Sequence, residues 1–145
     1  MIQATDFVRR FEALVAGGMG PGLPRRMQDK HILLKAVSLG IRRELPCSER
    51  DLGLALTSWL RRVGPRVDID RVSLRRALVD FGYLRRDSAG RAYELPDTDV
   101  VAFTPEVEAL DPQHLLAGLR QRLLSKAGKQ PRPESPGQEN RRDGI

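Results

Sequence analysis

Six arginines carry the most concentrated chemistry in this 145-residue chain. Arg71, Arg75 and Arg76 fall on a segment of helical spacing, and Arg85, Arg86 and Arg91 flank a turn just after it. Arginine presents a planar fork of donors that fits phosphate oxygens and the guanine edge. Leu74, Ala77, Leu78 and Phe81 repeat at i, i+3, i+4, i+7, which predicts a helix over Arg71–Phe81 with these four inside. Arg71, Val72, Arg75, Arg76 and Val79 then share the opposite face. Val72 and Val79 suit either thymine methyl groups or an apolar partner. The competing reading is a solvated face, with Asp80 paired to Arg76 one turn earlier. Asp68 or Asp70 is the expected N-cap, and a carboxylate there would repel phosphate where a recognition helix enters the groove.

Other reactive types are sparse. His31 and His114 are the two histidines, and with the single Cys47 they make no zinc spacing. His31 is expected on the face of its helix. Cys47 stands just before a helix start, where a thiolate is favoured, but no histidine is near it in sequence to activate it. The glycines of Gly17–Pro24 are not followed by Lys-Ser or Lys-Thr, so a phosphate loop is not expected. No nucleophile elbow is present. These observations point away from an enzyme, a metal site or a cofactor.

Charge separates the chain into parts. The net charge is +6, yet residues 23–95 hold 16 Lys+Arg against 9 Asp+Glu, a net +7. The basic charge therefore sits in the predicted domain, and all but two of its cations are arginines. Codon bias is the competing explanation of that arginine excess. Hydrophobic residues make up 40% and aromatics 5%, so aliphatic side chains must fill most of a modest core. One cysteine cannot form an internal disulfide. The sequence carries no secretory signal pattern and no apolar run near 18 residues, so a cytoplasmic protein is expected.

The elements that must position the arginines follow from periodicity. Residues 5–16 predict an amphipathic helix with Thr5 as N-cap and Gly17-Gly18 as its stop. Residues 1–22 thus form a helix and a Gly/Pro linker. A helix from Asp29 to Arg43 buries Ile32, Leu33, Ala36, Val37 and Leu39. Ser48, with Asp51 three residues on, caps a helix whose stripe is Leu52, Ala55, Leu56, Trp59, Leu60 and Val63. Trp59 is expected in the core. Gly82 suits the left-handed position after the arginine helix. Residues 83–86 and 91–95 predict a hairpin around Asp87-Ser88-Ala89-Gly90. The result is a mainly α winged helix-turn-helix-like domain over 23–95, with flanking helices and one short strand missing. Residues 96–125 hold an extended segment, Thr98–Phe103, within an irregular stretch and a helix from Asp111 to Ser125. Its Leu116, Leu119 and Leu123 suit a domain cap or a homodimer interface. Residues 126–145 have the composition of a disordered tail.

Three stretches resemble a bacterial family, domain of unknown function 2087 (DUF2087). Leu23-Pro24-Arg25-Arg26 resembles its basic opening, and Pro46–Leu52 its second-helix start. Ser73–Tyr93 resembles its third helix and wing. The connection at Arg61–Arg66 is longer than the family pattern. The resemblance implies a winged-helix-like fold and an association with transcription regulators. It implies no enzymatic activity. A DNA-binding or DNA-associated regulator is therefore expected. The alternatives are a protein-interaction or dimerisation module of the same fold, or a protein associated with RNA or the ribosome.

Overall fold

Ile32, Leu33, Leu34, Ala36, Val37 and Leu39 form a helix that is covered on every side. In a computed structural model, which describes residues 1–17, 20–97 and 101–129, this helix is α2 (Met27–Ile41), and helices before and after it in the chain pack against it. A 3-10 turn at Arg42–Glu44 ends it. Next come β1 (Cys47–Ser48), α3 (Glu49–Val63) and α4 (Arg71–Asp80). The hairpin β2 (Arg85–Arg86) and β3 (Ala92–Glu94) follows. Before this set lies α1 (Ala4–Gly17), and after it α5 (Pro105–Glu108) and α6 (Pro112–Lys129). The architecture is mainly helical with a small antiparallel sheet, as expected.

Caps set the helix starts. Ser48 Oγ accepts from Asp51 N at 3.1 Å, and Asp70 Oδ1 accepts from Ser73 N at 2.8 Å. Asp70 is thus the cap of α4 rather than Asp68. Gly82 takes φ 85° after α4, a left-handed value that a side chain disfavours. The strand missing from the sequence reading is β1. It pairs with β3 (Cys47 opposite Tyr93, Ser48 opposite Ala92), while β2 pairs with the other edge of β3. The order β1-β3-β2 makes the hairpin a three-stranded sheet anchored at the start of α3.

Several expected boundaries move. The first helix starts at Ala4, so Thr5 lies inside it rather than capping it, and Gly18 is outside the described residues. The second begins at Met27, which places Asp29 in its first turn. The hairpin strands shorten, because Tyr83 and Leu84 are buried in the turn before β2. Thr98–Val100 of the expected extended segment lie outside the described residues, but Phe103 is buried and pairs with Ile2 in a parallel bridge. The stretch expected to be irregular contains α5. The last helix runs to Lys129, past Ser125, so 126–129 are helical; the rest of the expected tail, 130–145, is outside the described residues.

The flanks complete the core. Phe7, Phe11 and Val15 of α1 are fully buried and join one cluster with Trp59, Leu78, Phe103, Val107 and Leu119. Trp59 takes its expected core place against α2. A Cβ on Gly40 would stand 2.5 Å from Trp59 Cδ1, so glycine there permits the close approach of α2 and α3. Buried charge ties the flanks down. Arg10 of α1 forms a bidentate pair with buried Asp29, at 2.9 and 2.8 Å. Glu108 of α5 meets buried Lys35 and, at 3.4 Å, Arg42.

His31 is buried rather than surface-facing. Its Nδ1 lies 2.7 Å from the Tyr83 hydroxyl, and the ring packs edge-on to Phe81. Burial lowers its pKa below the ordinary 6.5, so the folded chain holds it neutral. The unfolded chain then binds more protons than the folded one in acid. This contribution is complete above about pH 6.5 and is lost as pH falls through the lower folded value. The urea midpoint should therefore drop between pH 7 and 5, and His31→Gln should flatten that slope. An unchanged slope in the variant would show that His31 does not carry it.

Candidate nucleic-acid interface

The outer face of α4 forms as the spacing predicted. Leu74, Ala77 and Leu78 are buried, while Arg71, Val72, Arg76 and Val79 are exposed. Val72 retains 46% of its surface and Val79 37%, high values for valines flanked by arginines. Phe81 is only half buried and lies against His31. The Asp70 carboxylate is held by the Ser73 backbone N–H and hydroxyl, which lower its pKa. It is an ionised cap at the leading end of this face.

The six arginines divide into groups that the sequence did not distinguish. Arg71, Arg76 and Arg91 are exposed and, among the described residues, make no ion pair. Asp80 does not pair with Arg76; these two residues share no contact within salt-bridge distance. Arg91 follows the hairpin turn, where its backbone N–H donates to Asp87 at 2.8 Å. Arg75 and Arg86 converge on one carboxylate, Glu49, the first residue of α3. Arg75 Nη1 is 3.5 Å from Glu49 Oε2, and Arg86 Nη2 donates to Oε1 at 3.0 Å. The Tyr93 hydroxyl donates to the same Oε1 at 3.4 Å. Arg86 also donates to the Tyr93 hydroxyl at 3.1 Å, and its guanidinium lies over that ring, 5.2 Å from the centroid.

Arg85 belongs elsewhere. Neighbouring strand residues point to opposite faces, so Arg85 turns away from Arg86. It meets Glu94, its cross-strand partner, at 2.6 Å and Asp97 at 3.1 Å. The Glu94 hydrogen bond and the nearby Asp97 charge raise its pKa further above the ordinary arginine value. Tyr93 does the same for Arg86. Both remain cations at every accessible pH.

The structure therefore brings α4 and β2 together through Glu49 and separates Arg85 from that set. Sequence reasoning quoted Glu49 within a motif but assigned it no role. The available signal was an acid in the first turn after a serine cap, which ordinarily reads as a partner of the helix dipole. Of the leucines weighed as an interface, Leu119 is in the core and Leu116 packs against it; the side chain of Leu123 is outside the described residues.

Comparison with known families adds one finding. A family model described as an uncharacterised protein conserved in bacteria, DUF2087, matches residues 22–95. The chain belongs to this family. No curated protein and no solved structure matches it. The DUF2087 segment includes α2, α3, α4 and the sheet, so the six arginines of the candidate interface lie inside it, while α1, α5 and α6 lie outside.

A cleft of about 1070 Å³ opens where α2, α3 and the start of α6 meet. Cys47 and Gly40 line it, together with Arg43, Arg62, Glu44 and Asp51. Burial, then the charges of Asp51 and Glu44, push the Cys47 thiol up, which keeps it protonated. Among the described residues, no three His, Cys, Asp or Glu side chains are grouped to hold a metal ion, and no helix is long and apolar enough to cross a membrane.

Proposed function

We propose that this DUF2087 protein is a non-catalytic, DNA-associated transcription regulator of winged helix-turn-helix type, acting in the cytoplasm. Its contact surface is the outer face of α4 with the adjoining hairpin. One observation carries this reading: Arg71 and Arg76 stand exposed on one helix face with no ion pair among the described residues, within a segment of net charge +7. Charge of that density attracts the phosphate backbone, and each phosphate contact releases counterions. The order helix, strand, helix, helix, hairpin supports it. In helix-turn-helix proteins the second helix of the motif, here α4, enters the major groove. Arg91 and Arg86 would flank the groove from the hairpin.

The test is binding to mixed duplex DNA across a salt series. The wild-type log K should fall linearly with log salt. Arg71→Ala/Arg76→Ala should weaken binding at least tenfold and reduce the slope by about two, if each side chain meets a phosphate. Both residues are exposed, so the unfolding midpoint should not move. Absence of binding at low salt overturns the DNA reading, and preferential competition by RNA redirects it to RNA.

A second reading rests on Val72 and Val79. Apolar side chains set among arginines also suit a protein partner or a second copy of this chain. A mass that rises with concentration in sedimentation, and is lost in Val72→Asp, would favour it.

A further inference from the structure

Two cations from different elements meeting on one anion constitute a formed anion site. Here α4 supplies Arg75, β2 supplies Arg86, and the anion is the protein's own Glu49. We infer that the pocket between Arg75 and Arg86 is a phosphate-binding position for duplex DNA, occupied in the free protein by Glu49 as an internal competitor. The inference rests on the proposed DNA role and specifies how that surface is regulated.

Three features support an exchange. The Glu49 side chain is 55% exposed and that of Arg86 54%, so water and salt screen the pair and it is weakly held. Arg86 does not depend on Glu49 for its position. Arg86 is fixed by its hydrogen bond to the Tyr93 hydroxyl and by lying over the ring of that buried residue. Arg75 issues from the middle of α4, with its side chain 27% exposed. When Glu49 swings out, the Arg86 guanidinium and the Tyr93 hydroxyl therefore keep their places, with Arg75 rooted on α4 within reach of the same point. Phosphate offers more acceptor oxygens than a carboxylate and suits forked donors better. The vacated position also adjoins the start of α3, where the helix dipole favours an anion.

Glu49 thereby sets a threshold. A lone phosphate must displace a carboxylate already tethered in place. A duplex that also engages Arg71 and Arg76 supplies the additional attraction. Weak, nonspecific contact is suppressed more than full engagement.

The experiment compares the full-length wild type, Glu49→Gln, and Glu49→Gln/Arg86→Ala on one mixed-sequence duplex across a salt series. Glu49→Gln should bind about tenfold tighter at moderate salt, with a slope steeper by about one. The gain should vanish when Arg86 is also removed. A residue with only a structural role would not produce a gain that depends on Arg86. Binding by Glu49→Gln that persists at a salt concentration where wild-type binding has been lost supports the same conclusion. Wild-type binding that is unchanged or weakened in Glu49→Gln overturns the inference while leaving the DNA role intact. It would mean that Glu49 holds the arginines in position. Failure of both proteins to bind at low salt overturns the DNA role and the inference together.

Discussion

Deleting residues 1–17 is expected to leave the rest of the chain without a cooperative unfolding transition. Phe7, Phe11 and Val15 are each 0% exposed, and the deletion uncovers the surfaces of α2 and α3 beneath them. At about 1.5–3 kcal/mol for each large apolar side chain, the three contribute roughly 5–9 kcal/mol. An ordinary small domain has only about 5–15 kcal/mol in total. The deletion also leaves Asp29 buried without the Arg10 guanidinium, and Arg66 without the Ala16 carbonyl to which it donates. A charge left buried and unpaired adds to the loss. Phe11→Ala is the milder form, expected to cost about 3–5 kcal/mol. Its ring lies 6.4 Å from Phe7 and 6.5 Å from Trp59. Urea titration followed by Trp59 fluorescence and circular dichroism measures both changes. A sharp transition near that of the full chain, in the deletion variant, would show that α1 is dispensable to the core. A fragment cut to residues 22–95 should fare worse, since it also loses Phe103, Val107, Leu115 and Leu119.

Glu108→Gln is expected to destabilise the protein by about 3 kcal/mol, the lower end of the range for breaking a buried ion pair. The reason is asymmetric burial: the Lys35 side chain is 5% exposed and that of Glu108 38%. Removing the anion leaves an ammonium group in the core. Its remaining aromatic neighbour, Phe103 at 5.2 Å from the ring centroid, cannot replace a counter-charge. Removing the cation is different. Lys35→Met fills the same volume, and Glu108 keeps Arg42, which also donates to its backbone carbonyl at 3.0 Å. Lys35→Met should therefore cost little, and the double variant should recover most of what Glu108→Gln loses. Denaturant midpoints of the four proteins form a double-mutant cycle. Equal losses for both single variants, with no recovery in the double, would place the effect in packing rather than charge.

The ion pairs behind these two effects, Arg10 with Asp29 and Lys35 with Glu108, were not foreseen from the sequence, and α2 explains why. Its periodicity assigned one buried face to Ile32, Leu33, Ala36, Val37 and Leu39. The helix is instead buried all round, including Asp29, His31, Lys35 and Ser38. Polar residues inside a helix read as solvent-facing until their partners are known, and Arg10 and Glu108 are 19 and 73 residues distant. By contrast, α3 and α4 were legible because their information is local. Each has a side-chain cap and a single apolar stripe. The strand β1 was not legible, since two residues acquire strand character only by pairing with β3. The candidate interface divides the same way. The exposed face of α4 follows from helical spacing, whereas the opposed fates of Arg85 and Arg86 depend on the hairpin register and on Glu49.

The bridge between Ile2 and Phe103 bears on how the chain is made. Ile2 donates to Ala102 at 3.0 Å and accepts from Thr104 at 2.9 Å, while the Phe7 ring meets Phe103 edge-on at 6.0 Å. On a translating ribosome α1 emerges first, yet this part of its packing partner follows roughly 100 residues later, a delay on the order of 5–20 s. During that interval α2 and α3 can already cover Phe11, but the side of Phe7 that meets Phe103 is accessible to holdase chaperones. A nascent chain that stalls before Phe103 keeps that side of Phe7 uncovered, so the first helix reports whether synthesis has passed the segment that closes over it.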